Sequence, residues 1–206
     1  MKKWLVLIAV LMVVLIAGGV VARLKLSGAL SGIPSVVVVG DAMPDFSLQD
    51  CKGNTHRLKQ YGGKIVVLEF CSHKCPFSRG IDQDLAALVR FYADNDNVIF
   101  LGIDSHYDTT DQEIREYINI ADLPQPILRD PGNQYADAVG ALVTPDFFLI
   151  DKEGKLAYRG AFDNRILPER PGDKTYVAYA IEALLTDIPV NPTHVPAWGC
   201  TIKRAS

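Results

Sequence analysis

The chain has no excess of positive charge, no internal repeat, no low-complexity segment, and only four cysteines in 206 residues. Its 24 acidic side chains stand against 21 Lys and Arg, a formal net charge of −3. It therefore lacks the basic footprint of a nucleic-acid partner, and none is expected. Global disorder is excluded too, because 49% hydrophobic residues supply a packed core. The length suits one ordinary domain with extra segments rather than two full domains. No cysteine precedes Cys51, so the apolar N-terminus lacks the lipid-acceptor cysteine of a bacterial lipoprotein.

What is present begins with a long hydrophobic run. Met1-Lys2-Lys3 is followed by Trp4 to Ala22, with no charged residue. As a helix rising about 1.5 Å per residue, this run matches a hydrocarbon layer of roughly 30 Å. Residues 1–22 are thus expected to be a single transmembrane signal-anchor. Lys2 and Lys3 favour a cytoplasmic N-terminus, against which Arg23 and Lys25 argue weakly. The alternative is a cleaved secretory signal ending at Val20-Val21-Ala22, but signal cores usually run about 7–15 residues and this one is longer. Both readings export the remainder to a periplasmic or other extracytoplasmic space. There the four cysteines, Cys51, Cys71, Cys75 and Cys200, meet conditions in which disulfides persist, and spacing does not choose among their pairings.

Residues 23–39, containing Gly and Ser, read as a tether, 40–190 as the folded domain, and 191–206 as a flexible, Pro-rich tail. Phe46–Leu48 and His56–Leu58 flank a Lys52-Gly53-Asn54 turn, a hairpin signal. The apolar run 64–70 suits a buried central strand, as does 98–103. Helical spacing marks 81–93, 110–120, 133–139 and 176–185, with a short strand at 126–129. Residues 146–150 and 156–160 form a hairpin across Asp151-Lys152-Glu153-Gly154. This alternation predicts an α/β sandwich with a mixed sheet. The right-handed crossover rule makes strands 64–70 and 98–103 parallel neighbours.

The chemistry-bearing segment is Glu69-Phe70-Cys71-Ser72-His73-Lys74-Cys75-Pro76-Phe77-Ser78-Arg79. It leaves a buried strand and enters a helix. Pro76 suits the first helical position, which puts Cys75 at the N-cap, facing unpaired amides and the positive end of the helix dipole. Such a cysteine is a stabilised thiolate, with pKa values lowered to about 3.5–7.5 in known cases. Cys75 is the expected nucleophile, and Cys71 its partner thiol if the loop curls back. A bridge closing so short a loop stabilises little, so its use is chemical. Glu69, if buried beside Cys75, has a raised pKa and accepts protons. Otherwise it faces solvent or pairs with Lys64 or Arg79.

This segment resembles the active-site loop of the thioredoxin superfamily. Cys75 matches its first active-site cysteine, Ser78 stands where its second would be, and Glu69 matches its buried acid. Thr144-Pro145 resembles the loop whose cis-proline faces the reactive sulfur. More closely, the chain resembles the peroxiredoxin-like branch of redoxin proteins, the alkyl hydroperoxide reductase/thiol-specific antioxidant group. The shared pieces are Gly-Asp-x-x-Pro-x-Phe at 40–46, Cys-Pro at 75–76, Thr-Pro-Asp-Phe-Phe-Leu at 144–149 and Gly-Cys-x-Ile-Lys at 199–203. The resemblance implies a thioredoxin-like three-layer sandwich and thiol–disulfide exchange with protein dithiols or disulfides, without a cofactor. It also implies that the Thr144-Pro145 backbone holds a client in an extended pose. Peroxiredoxins place their peroxidatic cysteine where this chain has Ser78, which argues against peroxidase activity.

Cys-x-x-x-Cys-Pro also resembles the copper-delivering Sco family. Cys71 and Cys75 are soft donors for Cu(I), with His73 or His106 as a third ligand, although that family's distal histidine position here holds Val143-Thr144-Pro145. Cys200 is either an alternative resolving thiol folded back over the site or a structural disulfide partner of Cys51. Lys203 and Arg204 read as solvated tail charges.

Overall fold

The computed structural model describes residues 36–204. The expected transmembrane segment, most of the tether, and the last two residues lie outside the described residues. No helix among the described residues is long and apolar enough to cross a membrane. Val37 is already buried in the core, so the ordered domain starts before Gly40.

In chain order the strands are β1 (Ser47–Asp50), β2 (Thr55–Arg57), β3 (Ile65–Phe70), β4 (Val98–Asp104), β5 (Ile127–Arg129), β6 (Val143–Thr144), β7 (Asp146–Ile150), β8 (Leu156–Gly160), β9 (His194–Val195) and β10 (Cys200–Thr201). The α-helices are α1 (Pro76–Phe91), α2 (Asp111–Ala121), α3 (Gln134–Val139) and α4 (Tyr176–Leu185). The main sheet runs β2-β1-β5-β4-β3-β7-β8-β9. β3 lies parallel to β4, as the crossover rule requires, and antiparallel to β7. The two expected hairpins form as β1–β2 and β7–β8.

Side-chain alternation along β3 divides the interior. Val66, Leu68 and Phe70 face a core that includes Phe46, Phe148 and Tyr135, Ala136 and Val139 of α3. Ile65 and Val67 face the other side, packed with Ile81 and Leu85 of α1 and with Val177 and Ile181 of α4. The sheet is thus sandwiched between helical layers, the mixed α/β sandwich expected from the element order and the thioredoxin-like arrangement that the resemblance implies. By the same period of two, Glu69 turns toward the α1 side.

The tail departs from expectation. It is docked, not free: β9 joins the main sheet beside β8, and β10 pairs with β6. Ile202 is only 2% exposed and belongs to the core around Phe70. Lys203 reaches Asp108 at 3.4 Å and Arg204 reaches Asp137 at 2.8 Å, so these cations pin the tail instead of only solvating it.

Candidate active site

Cys75 caps α1 in an extended conformation (φ −93°, ψ 118°), with Pro76 at the first helical position. The preceding loop is organised by its serines. Ser78 Oγ accepts from the Ser72 amide at 3.3 Å, and Ser72 Oγ accepts from the Lys74 amide at 3.2 Å. Ser78, at the place of a second active-site cysteine, therefore holds the loop by its hydroxyl.

The Cys75 sulfur lies under the Thr144-Pro145 turn, whose peptide bond is cis. Its thiol donates to the Thr144 carbonyl oxygen at 3.1 Å. Cys75 is 1% exposed. Burial works to raise its pKa, but hydrogen bonds from the Cys200 and Thr144 side chains and from the Ser78 and Cys200 amides outweigh it, leaving the thiol below its ordinary value. Those donors surround the sulfur where a thiolate develops, as unpaired first-turn amides of a helix do.

Cys200 is the neighbour of Cys75. In the β6–β10 ladder Cys200 sits opposite Thr144. Its thiol is half-buried, and burial together with the adjacent Cys75 pushes its pKa up to about 11. Close approach is permitted by Gly199, where a Cβ would collide with the Thr144 carbonyl. Trp198 then packs edge-on to Phe77 of α1, with ring centroids 4.7 Å apart.

Cys71 lies elsewhere. It continues β3, its amide donating to the Ile103 carbonyl at 3.0 Å. It is 2% exposed among Ala86, Ile114, Tyr117 and Ile127. Burial, with Glu69 and Asp104 nearby, raises its pKa well above that of an ordinary thiol. The expected approach of Cys71 to Cys75 is thus replaced by an approach of Cys200, because strand alternation turns residue 71 under the helices. Cys51 is buried in the same cluster as Cys71, remote in the fold from the β6–β10 ladder, and does not pair with Cys200.

Glu69 is buried and makes no ion pair with Lys64 or Arg79 among the described residues. Burial, then the charges of Asp82 and Cys75, raise its carboxyl well above the ordinary value. Asp82 of α1 is itself pushed up to about 6 by burial, against a hydrogen bond from Tyr117 and the charge of Arg79; Tyr117 Oη donates to it at 2.5 Å. Asp82, Tyr117 and Arg79 line an open cleft of about 810 Å³. A protonatable carboxyl behind Cys75, with a second one near a solvent cleft, suits proton movement during thiol chemistry.

The copper donors do not converge. His73 faces Asp104 and Glu113 at 4.0 and 3.7 Å, away from the Cys75–Cys200 pair. His106 is buried, and its Nδ1 accepts from the Lys203 amide at 3.4 Å, so it anchors the tail. Among the described residues no three His, Cys, Asp or Glu side chains form a metal-ligand group. Asp82, Phe77, Trp198 and Gly199 were missed as site residues. The last two adjoin Cys200 in the terminal motif, whereas Asp82 carried only the ordinary signal of a helix polar position.

Residues 39–159 match the model of the AhpC/TSA family. A thiol-disulfide oxidoreductase ResA of Geobacillus thermodenitrificans is 30% identical over 124 residues, covering 59% of this chain and 68% of that protein. Its counterpart in Bacillus thuringiensis is 28% identical over 120 residues, 57% of this chain, and the match spans 66% of that protein's length. A solved structure of a hypothetical protein from Sinorhizobium meliloti superposes with a TM-score of 0.76 at 31% identity, over 82% of this chain and 96% of that one.

Proposed function

The chain belongs to the AhpC/TSA family, and from that premise we propose that it is a thiol–disulfide oxidoreductase whose nucleophile is Cys75 and whose second thiol is Cys200. The observation that carries this reading is the β6–β10 ladder, which seats Cys200 opposite Thr144, the residue whose carbonyl accepts the Cys75 thiol at 3.1 Å; the two thiols respond to each other, one lowered and the other raised to about 11. The named relatives are thiol-disulfide oxidoreductases, which supports the same chemistry with protein thiols as the general client class.

In the reduced protein the Cys75 thiolate attacks a client disulfide. A Cys75–client mixed disulfide forms, and the client's other sulfur leaves with the electron pair and takes a proton. The Cys200 thiolate then attacks Cys75 Sγ, the client's remaining sulfur departs, and a Cys75–Cys200 disulfide remains. A partner dithiol restores the starting state by two further exchanges, becoming a disulfide itself. Run backward, the same steps oxidise a client. Glu69 serves as the buried proton acceptor and donor behind Cys75, while Cys71 stays a structural thiol. We further infer that the apolar run Trp4–Ala22 tethers the exported domain to the membrane, which alkaline carbonate extraction of membranes tests: the protein stays in the pellet if the run is an anchor.

The deciding experiment is a glutathione redox titration of the full chain in detergent, read by thiol alkylation and peptide mass spectrometry. A reversible Cys75–Cys200 bridge with Cys71 alkylated throughout is expected. Cys200→Ser should accumulate mixed disulfides on Cys75, and Cys71→Ser should not. A Cys71–Cys75 bridge would overturn the assigned pair.

A further inference from the structure

The β6 edge beside Cys75 is already occupied by the chain's own C-terminal strand. Cys200 and Thr201 pair antiparallel with Thr144 and Val143, and the Ile202 amide donates to the Leu142 carbonyl at 2.9 Å. Added strands of this kind draw affinity from main-chain hydrogen bonds and specificity from pockets for individual side chains. Three such features are present. At Gly199 a Cβ would meet the Thr144 carbonyl and Pro145 Cδ, so the position before the cysteine admits only glycine without rearrangement. Two residues before the cysteine, Trp198 fills a niche with Phe77, Ile81, Pro145 and Phe162, leaving about 20 Å³ of space. Two residues after it, Ile202 is 2% exposed in the core.

We propose that this edge is a peptide-binding site selective for extended strands reading aromatic–glycine–cysteine with an apolar residue two places on, and that the tail occupies it as a tethered competitor. The inference rests on the exchange chemistry proposed above and names its substrate class. In the docked state Cys75 is 1% exposed, so a client strand reaches it only by displacing the tail. Lys203 and Arg204, paired with Asp108 and Asp137 at the surface, hold the far end of the tail through contacts that salt weakens.

The test uses the reduced full chain and measures iodoacetamide labelling of Cys75 by peptide mass spectrometry. Gly199→Ala should unseat the strand and speed Cys75 labelling at least tenfold over wild type. Lys152→Ala, a substitution in the β7–β8 turn that leaves the tail strand and both thiols intact, should leave Cys75 protected. Added in excess to the Gly199→Ala protein, a peptide copying residues 196–204 with serine for its cysteine should restore protection. The same peptide with alanine for its glycine should not. Trp198→Ala provides a second unseated protein should Gly199→Ala fail to fold. Equal labelling of wild type and the unseated variants, or equal protection by both peptides, overturns the proposal. The Cys75–Cys200 bridge, read separately in the redox titration, tells whether the exchange chemistry itself has failed.

Discussion

Cys200 stands directly across an antiparallel ladder from Thr144, the residue whose carbonyl oxygen accepts the Cys75 thiol at 3.1 Å. One backbone register thus serves two sulfurs. It seats Cys200 beside Cys75 and supplies the hydrogen-bond partners that separate their acidities.

That separation has a measurable sign. The Cys200 thiol is among the donors that hold Cys75 below its ordinary value, against the upward push of burial. Removing it in Cys200→Ala should raise the midpoint of Cys75 thiolate formation, measured as the pH dependence of alkylation. A midpoint that stays or falls would show that the pair is not coupled.

The same asymmetry sets where a small thiol, not held on the β6 edge as a client strand is, enters the oxidised protein. The sulfur with the lower pKa leaves faster, and Cys75 is the buried one of the pair. Glutathione added to the Cys75–Cys200 disulfide should therefore appear first on Cys200. Acid quenching at early times and peptide mass spectrometry read this out, and glutathione found mainly on Cys75 would contradict it.

Burial raises the Glu69 carboxyl well above its ordinary 4.5, with Asp82 and Cys75 adding to the effect. The folded state then binds this proton more tightly than the unfolded chain. The resulting stability is complete below about pH 4.5 and declines as the pH climbs through the folded-state value. Glutamine titrates no proton, so the melting temperature of Glu69→Gln minus that of wild type should become more positive by several degrees between pH 4.5 and pH 8. Disulfide exchange by this variant should slow about 100-fold, in the range for loss of a general acid–base group.

Arg165 is nearly buried and pairs with Asp163 at 2.7 Å and with Asp84 of α1 at 2.6 Å. It also donates to the carbonyls of Gly80 and Pro168. Removing one partner of a buried ion pair leaves the other unpaired and costs about 3–5 kcal/mol. Arg165→Ala should lose that much in urea unfolding, and a loss under 1 kcal/mol would place the pair among weak surface bridges.

Trp198 packs against Phe77 at the mouth of the site. In Trp4→Phe protein, which leaves Trp198 as the remaining tryptophan, fluorescence should change reversibly with the redox state of the neighbouring cysteines. Constant emission across a full redox titration would mean that the tail does not respond to the pair.

By itself, the sequence determined the central strands, the helices and the place of Cys75 at a helix start. Period-two alternation along 65–70, the apolar runs and the Cys75-Pro76 helix start are local signals, and local geometry converts them directly into structure. It also determined the family motifs, including Gly199-Cys200-x-Ile202-Lys203. Which thiol meets Cys75 was decided only by tertiary structure. Cys71 is near Cys75 in sequence, but the alternation that buries Glu69 turns it under α1 and α2. Cys200, more than a hundred residues away, arrives because β10 pairs with β6. That pairing depends on a glycine that fits against Thr144, an aromatic that fits against Phe77 and an isoleucine that fits into the core. None of these fits exists until the sheet, the α1 terminus and the Thr144-Pro145 turn have come together.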